Sequence, residues 1–263
     1  MMTDSTTPKE LEMGEVWSGS LSIIRYKPIV LLPIFIVLVF ELLLGLLTRF
    51  FIVLPERITS TRDLMPYLPS LLPALLITFI LVYIIAYPVF VGMYPLLVKN
   101  FVEKKEIDLK TAFKSAVKKA PALISVNIVL IFIILTGLLF FIVPGVIFSI
   151  WYFYVIPVIM LENRGVVNAM KASKTFSRDK KFKTFLIFLL PFLMLVISQF
   201  LVRQISAGIL FMSGYAMYDI LPVIAAARTV IDFLVLLFFY SWLSVIPSYV
   251  YIKYRKDGLM EGV

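Results

Sequence analysis

The chain has 263 residues, 61% of them hydrophobic, a net charge of +9, and neither cysteine nor histidine. Its mean hydropathy is +1.00. Soluble domains hold roughly 45–50% apolar residues, so an ordinary soluble fold is excluded; so are disulfides, thiolate or imidazole metal sites, and any mechanism needing a catalytic cysteine or a histidine base.

Residues 1–10, MMTDSTTPKE, have the composition of a disordered tail. Asp4, Glu10, Glu12 and Glu15 precede the first apolar run, which is too long for a signal peptide, so the first helix is expected to stay in the mature protein. Over 11–25, Trp17, Leu21 and Ile24 recur at i, i+4 and i+7, which predicts an interfacial helix with Trp17 at headgroup depth. The run 29–48 supplies the roughly 20 apolar residues that a hydrocarbon core of about 30 Å requires. It holds one charge, Glu41, near its middle.

The second run, 68–98, contains Pro73, Pro88 and Pro95, each of which removes a helical hydrogen bond and can kink the helix. A second amphipathic segment follows. Leu109, Ala112, Phe113, Ala116, Val117 and Ala120 form its apolar stripe, and Lys110, Lys114 and Lys118 the opposite, cationic one. Asp108 is placed to be its N-cap, and Pro121 to begin the next helix. The runs 121–143 and 145–161 are the third and fourth spans, with Pro144 and Gly145 predicted to form a tight turn between them. Gly165 opens a third amphipathic segment, where Val166, Ala169, Met170, Ser173 and Phe176 share one side and Lys171, Lys174 and Arg178 lie around the rest. The last two spans are 184–202 and 229–252. Between them, 203–228 reads as an external loop lying on the membrane or folded back, interrupted by Gly208, Gly214 and Pro222; a seventh span is the alternative. The parse gives one membrane domain over 11–256 and a short tail at 257–263.

Alternate connecting segments hold 20 of the 25 Lys and Arg. The opposite set holds only Arg49, Arg57, Arg62, Arg203 and Arg228. Cytoplasmic loops of membrane proteins carry such an excess. The expected fold is therefore all-α: an integral membrane helical bundle of six transmembrane helices with three cytoplasmic interfacial amphipathic helices. It is expected in the cell membrane, with both termini in the cytoplasm.

Glu41 is the sharpest candidate for function, because an unpaired charge within a span costs several kcal/mol or stays protonated. It reads either as a proton- or cation-binding carboxylate or as a hydrogen-bonding residue that joins helices. Arg228 and Asp232, spaced i, i+4 at the outer end of the last span, read as an ion pair on one helix face. Ser125, Asn127, Ser198, Gln199, Ser241, Ser244 and Ser248 read as polar contacts between helices. No phosphate loop, dinucleotide fingerprint or clustered acidic pair is present in the sequence, so neither an enzyme nor a cofactor is expected.

One segment, VPGVIFSIWYFYVIPVIMLENRGVVNAMKASKTFSRDKKFKTF, carries a resemblance. Pro144, Gly145, Pro157, Glu162, Gly165, Ala169 and Ser173 follow its pattern of a Pro-Gly turn, a proline-bearing helix, then Glu, Gly, Ala and Ser at regular steps. It resembles a broad group of bacterial and archaeal membrane proteins that includes the membrane domain of some glycerophosphodiester phosphodiesterases. Phe176 stands where that group commonly has Leu, and Asp179 and Lys180 where it often has Gly or Asn. The resemblance implies architecture and is silent on activity; eleven residues follow Ile252, too few for the phosphodiesterase domain, and no such activity is expected to carry over. Physically the motif reads as a structural elbow. Glu162 would accept from helix-start amides or pair with Lys or Arg, Gly165 would allow a sharp turn, and Ala169 and Ser173 would keep one helix face thin.

The expected function is a non-enzymatic membrane protein that organises lipid or recruits a protein partner through its basic cytoplasmic face. Lys110, Lys114, Lys118, Lys171, Lys174 and Arg178 are expected to contact anionic headgroups, and no nucleic-acid partner is expected. The alternative is a small transporter or permease subunit using Glu41 and the kinked second span.

Overall fold

In lipid no water pairs with the backbone, so long apolar segments satisfy their own amides as helices. The computed structural model describes residues 12–51, 65–140, 142–178, 180–213 and 221–256, and among them there is no strand. Six helical stretches are long and apolar enough to cross a membrane: Pro28–Thr48, Met65–Val102, Ala120–Phe140, Val143–Glu162, Lys181–Ile209 and Val223–Tyr254. Leu43, Leu72, Phe132, Leu139 and Ile197 point outward and are exposed, the reverse of a water-soluble surface. Ile34, Tyr94, Leu97, Leu123, Tyr154, Ile187 and Ile246 form the buried centre. The fold is the all-α, six-span bundle that the sequence predicts.

The helices run α1 (Met13–Tyr26), α2 (Leu32–Phe51), α3 (Leu68–Phe79), α4 (Tyr87–Val91), α5 (Tyr94–Val102), α6 (Leu109–Lys118), α7 (Ala120–Phe140), α8 (Ile142–Trp151), α9 (Val155–Glu162), α10 (Val166–Arg178), α11 (Lys181–Ser213) and α12 (Leu221–Lys256). A 3₁₀ turn, Pro28–Leu31, leads into α2, and a π-helical segment, Ile80–Ala86, joins α3 to α4. The second span is thus α3, the π segment, α4 and α5. The fourth is α8 and α9, broken by a turn at Tyr152–Tyr154. The amphipathic helices α1, α6 and α10 each precede a pair of spans.

The basic connecting segments meet at one end of the bundle. Lys253 on the last helix pairs with Glu15 on the first, so both described ends of the chain lie there. Tyr251 donates to Glu162 at the end of the fourth span. Lys119, just before α7, donates from Nζ to the carbonyls of Ile159 and Met160 at 2.9 and 3.1 Å. These are last-turn carbonyls of α9 that have no helical donor, and a cation is the favoured partner for them. Burial first, and the neighbouring Lys118 charge second, hold the Lys119 amine below the usual lysine range.

Four expectations are corrected. The stretch 203–228 is not a loop within the described residues: α11 runs on to Ser213 and α12 begins at Leu221, with Gly208 inside helix and Pro222 in a first turn, where its missing N–H costs nothing. Pro144 and Gly145 are not the turn between the third and fourth spans but lie in the first turn of α8. Gly145 is there for closeness: a Cβ on Gly137 would stand 2.9 Å from the Gly145 Cα. The residue that turns the elbow is Asn163, in the left-handed region at φ 60°, and not Gly165, which has open space around it. On α1 the buried face is Val16, Ser20, Ile23 and Ile24. Trp17, half-buried, sits at its edge and donates from Nε1 to the Ile187 carbonyl at 3.4 Å, so it leans toward α11. The tails 1–10 and 257–263, Arg57, Arg62, Asp179, Gly214 and the side chain of Arg49 lie outside the described residues.

Candidate functional site

The first span places Ile34, Val37, Leu38 and Glu41 at helical spacing on one face of α2. That face closes a cavity of about 220 Å³ with Tyr83, Tyr87 and Tyr240. The Tyr83 hydroxyl donates to Glu41 Oε1 at 2.6 Å, a charge-assisted distance.

Tyr83 reaches Glu41 because of a proline five residues on. In the π segment the Tyr87 amide bonds the Val82 carbonyl. In that register residue 88 would donate to Tyr83, but Pro88 has no N–H. Asn127 of α7 supplies the missing donor, its Nδ2 lying 2.9 Å from the Tyr83 carbonyl. A local widening of the helix, made tolerable by a side chain on the third span, thus sets the position of the tyrosine. Tyr87 approaches Ser244 on α12, so the site draws on the first, second, third and sixth spans. A carboxylate with one phenolic donor in a small cavity can take up a proton or hold a small cation.

The sequence singles out Glu41, Asn127 and Pro88, but not Tyr83 or Tyr240. Tyr83 lies one helical turn before Tyr87, and that spacing is its only signal. Arg228 and Asp232 do not line this cavity. They pair with each other, Nε to Oδ2, at 3.5 Å, about two turns away from Tyr240 along α12.

Pro144 and Gly145 lie at the start of α8, away from the other elbow residues, which sit on α9, on α10 and in the turn between them. Glu162 ends α9, pairs with Arg164 at 2.6 Å and accepts from Tyr251. Ala169 and Ser173 are fully buried on α10. Ser173 Oγ donates to the Trp151 carbonyl at 2.8 Å and accepts from the Tyr154 amide at 3.2 Å, filling the break between α8 and α9. Pro157, buried in the first turn of α9, cannot donate to the Phe153 carbonyl, which is why the break falls there.

The cationic residues divide into two groups. Lys110, Lys114 and Lys118 are exposed along α6, beside exposed Phe113 and Val117, while Ala112 and Ala116 pack inward. Asp108 caps the helix: its Oδ1 accepts from the Thr111 amide at 3.0 Å, and the Thr111 bonds hold its carboxyl below the usual range. On α10, Lys171 and Arg178 are exposed, but Lys174 stands over the Trp151 ring at 4.3 Å, a cation–π contact that the sequence does not show.

Six helices long and apolar enough to cross a membrane define a multi-pass α-helical membrane protein. Compared with family models, curated proteins and solved structures, the chain matches none.

Proposed function

We propose that this protein is a non-enzymatic component of the cell membrane, with both termini in the cytoplasm, that gathers anionic lipid at its basic end. The observation that carries the reading is α6. Three exposed lysines run beside the exposed apolar pair Phe113 and Val117, the surface of a helix that lies along headgroups with its grease in the acyl boundary. The exposed Lys171 and Arg178 on α10 extend the same chemistry. Excising the protein from its membrane in polymer-bounded discs tests it: discs of the wild type would be enriched in anionic lipid over the bulk membrane, and K110Q/K114Q/K118Q would lose that enrichment. Equal lipid composition in both would overturn the reading. The resemblance to the membrane domain of glycerophosphodiester phosphodiesterases rests on the elbow residues and adds no activity.

A second reading is favoured by the Glu41 cavity. A hydrogen-bonded carboxylate beside a π-helical segment is the kind of site a proton- or cation-coupled permease subunit uses. Proton flux in reconstituted vesicles would fall in Glu41→Gln if that reading holds; flux equal to wild type would remove Glu41 from any transport step.

A further inference from the structure

A second cavity, of about 660 Å³, opens at the basic end and shares no residue with the Glu41 site. It lies where the first span begins and where the second and sixth end. Four lysines reach its wall: Lys27 before α2, Lys104 and Lys105 in the turn after α5, and Lys253 on α12. Lys105 is paired with Glu103 at 2.8 Å and Lys253 with Glu15. Glu106 also lines the cavity, but Lys27 and Lys104 have no carboxylate partner among the described residues. The hydroxyl residues Ser22 and Tyr249 line one side, and Phe101 and Val102, the last residues of the second span, give it an apolar floor.

Lys104 occupies a backbone position that favours glycine. Its φ is 54°, and the turn closes with Lys105 donating to the Asn100 carbonyl at 2.8 Å and Lys104 to that of Phe101 at 3.0 Å. This is a Schellman ending, whose left-handed residue is usually glycine. A lysine there puts an ammonium group on the cavity wall where a glycine would fit the backbone with less strain.

We propose that this cavity binds a phosphate-bearing anion, either the headgroup of a phospholipid or free phosphate. Lys27 and Lys104 would supply the charge, Tyr249 a hydroxyl donor, and Phe101 and Val102 the surface for a glycerol ester when the anion is a lipid. The volume lies within the range of small-molecule pockets, roughly 300–1,000 Å³. For the lipid source, the proposal deepens the reading of the basic end given above and rests on it.

The test uses the full chain in nanodiscs of neutral phosphatidylcholine, titrated with inorganic phosphate, and in discs doped with phosphatidic acid or phosphatidylglycerol. The thermal midpoint and the lipid retained on purification are followed. A rise with inorganic phosphate assigns a free anion; a rise only with the doped lipids assigns a headgroup; either supports the site. Lys104→Gly suits the backbone and removes the charge, so it would fold as the wild type and bind roughly fivefold more weakly, with a further roughly fivefold loss in K27Q/K104G. Wild-type affinity in that double variant would overturn the proposal. If K110Q/K114Q/K118Q loses anionic lipid while K27Q/K104G keeps wild-type affinity for both inorganic phosphate and the doped lipids, the cavity fails and the broader reading stands. If neither variant differs from wild type, both fall.

Discussion

Ser173, on an amphipathic helix, donates its hydroxyl to the carbonyl of Trp151, inside the fourth span. The same oxygen accepts from the Tyr154 amide, so one side chain serves both backbone groups exposed by the turn at Tyr152–Tyr154. Ser173→Ala leaves a buried carbonyl and a buried amide without this partner. It would destabilise the protein by about 1–3 kcal/mol, read as a lower unfolding midpoint in detergent. Ser177, 3.5 Å from the same carbonyl, limits the loss, and S173A/S177A would cost more than Ser173→Ala alone.

The glycines separate into those that touch and those that do not. A Cβ on Gly145 would stand 2.9 Å from the Leu138 backbone nitrogen, and one on Gly137 equally close to Gly145. Gly137→Ala and Gly145→Ala would force α7 and α8 apart and destabilise the protein by about 1–3 kcal/mol each. Gly165→Ala meets nothing within 4 Å and has no left-handed backbone, so it would leave the unfolding midpoint unchanged. The same thermal measurement on all three checks the contrast.

Asp108 makes the start of α6 sensitive to acid. Its folded-state carboxyl is held low by the Thr111 bonds, so the cap stabilises fully above the ordinary aspartate value near 3.8 and is lost as pH falls through the depressed one. Amide hydrogen exchange at Leu109–Ala112, corrected for intrinsic rates, would be flat from neutral pH down to that value and rise below it. Asp108→Ala would show the raised exchange already at neutral pH.

The absence of native cysteine makes orientation directly testable. Ser115→Cys on α6 and Lys174→Cys on α10 would resist a membrane-impermeant maleimide in intact cells and react once the membrane is opened. Labelling of either from outside would reverse the assignment of the basic end to the cytoplasm.

The six spans are legible in the sequence because run length and lack of charge are all that a bilayer demands of a helix. Glu41 is legible for the same reason, as the one charge in 29–48. What surrounds it is not. Tyr83 and Tyr240 converge on Glu41 from residues 42 and 199 positions away, and the π register that turns Tyr83 inward depends on Asn127 from a third span. On α1 the sets Trp17/Leu21/Ile24 and Val16/Ser20/Ile23 both fit helical spacing. The choice falls to partners elsewhere: Trp242, whose Nε1 donates to Ser20 Oγ at 2.9 Å, and Tyr249, which leaves no room for a Cβ on Gly19. Glycine and proline signals in 203–228 mislead because the cost of unpaired backbone keeps the chain helical past Gly208.

The spans differ greatly in length, and this bears on the lipid around them. At 1.5 Å per residue, the 21 residues of Ala120–Phe140 extend about 31 Å and the 32 of Val223–Tyr254 about 48 Å. Even the steepest tilt common for such helices, about 40°, shortens the latter only to about 37 Å. The two cannot be level with the same pair of water surfaces. The last helix therefore outreaches the third span by about 6 Å even at that tilt, and exposed apolar side chains near its start, such as Val223, extend with it.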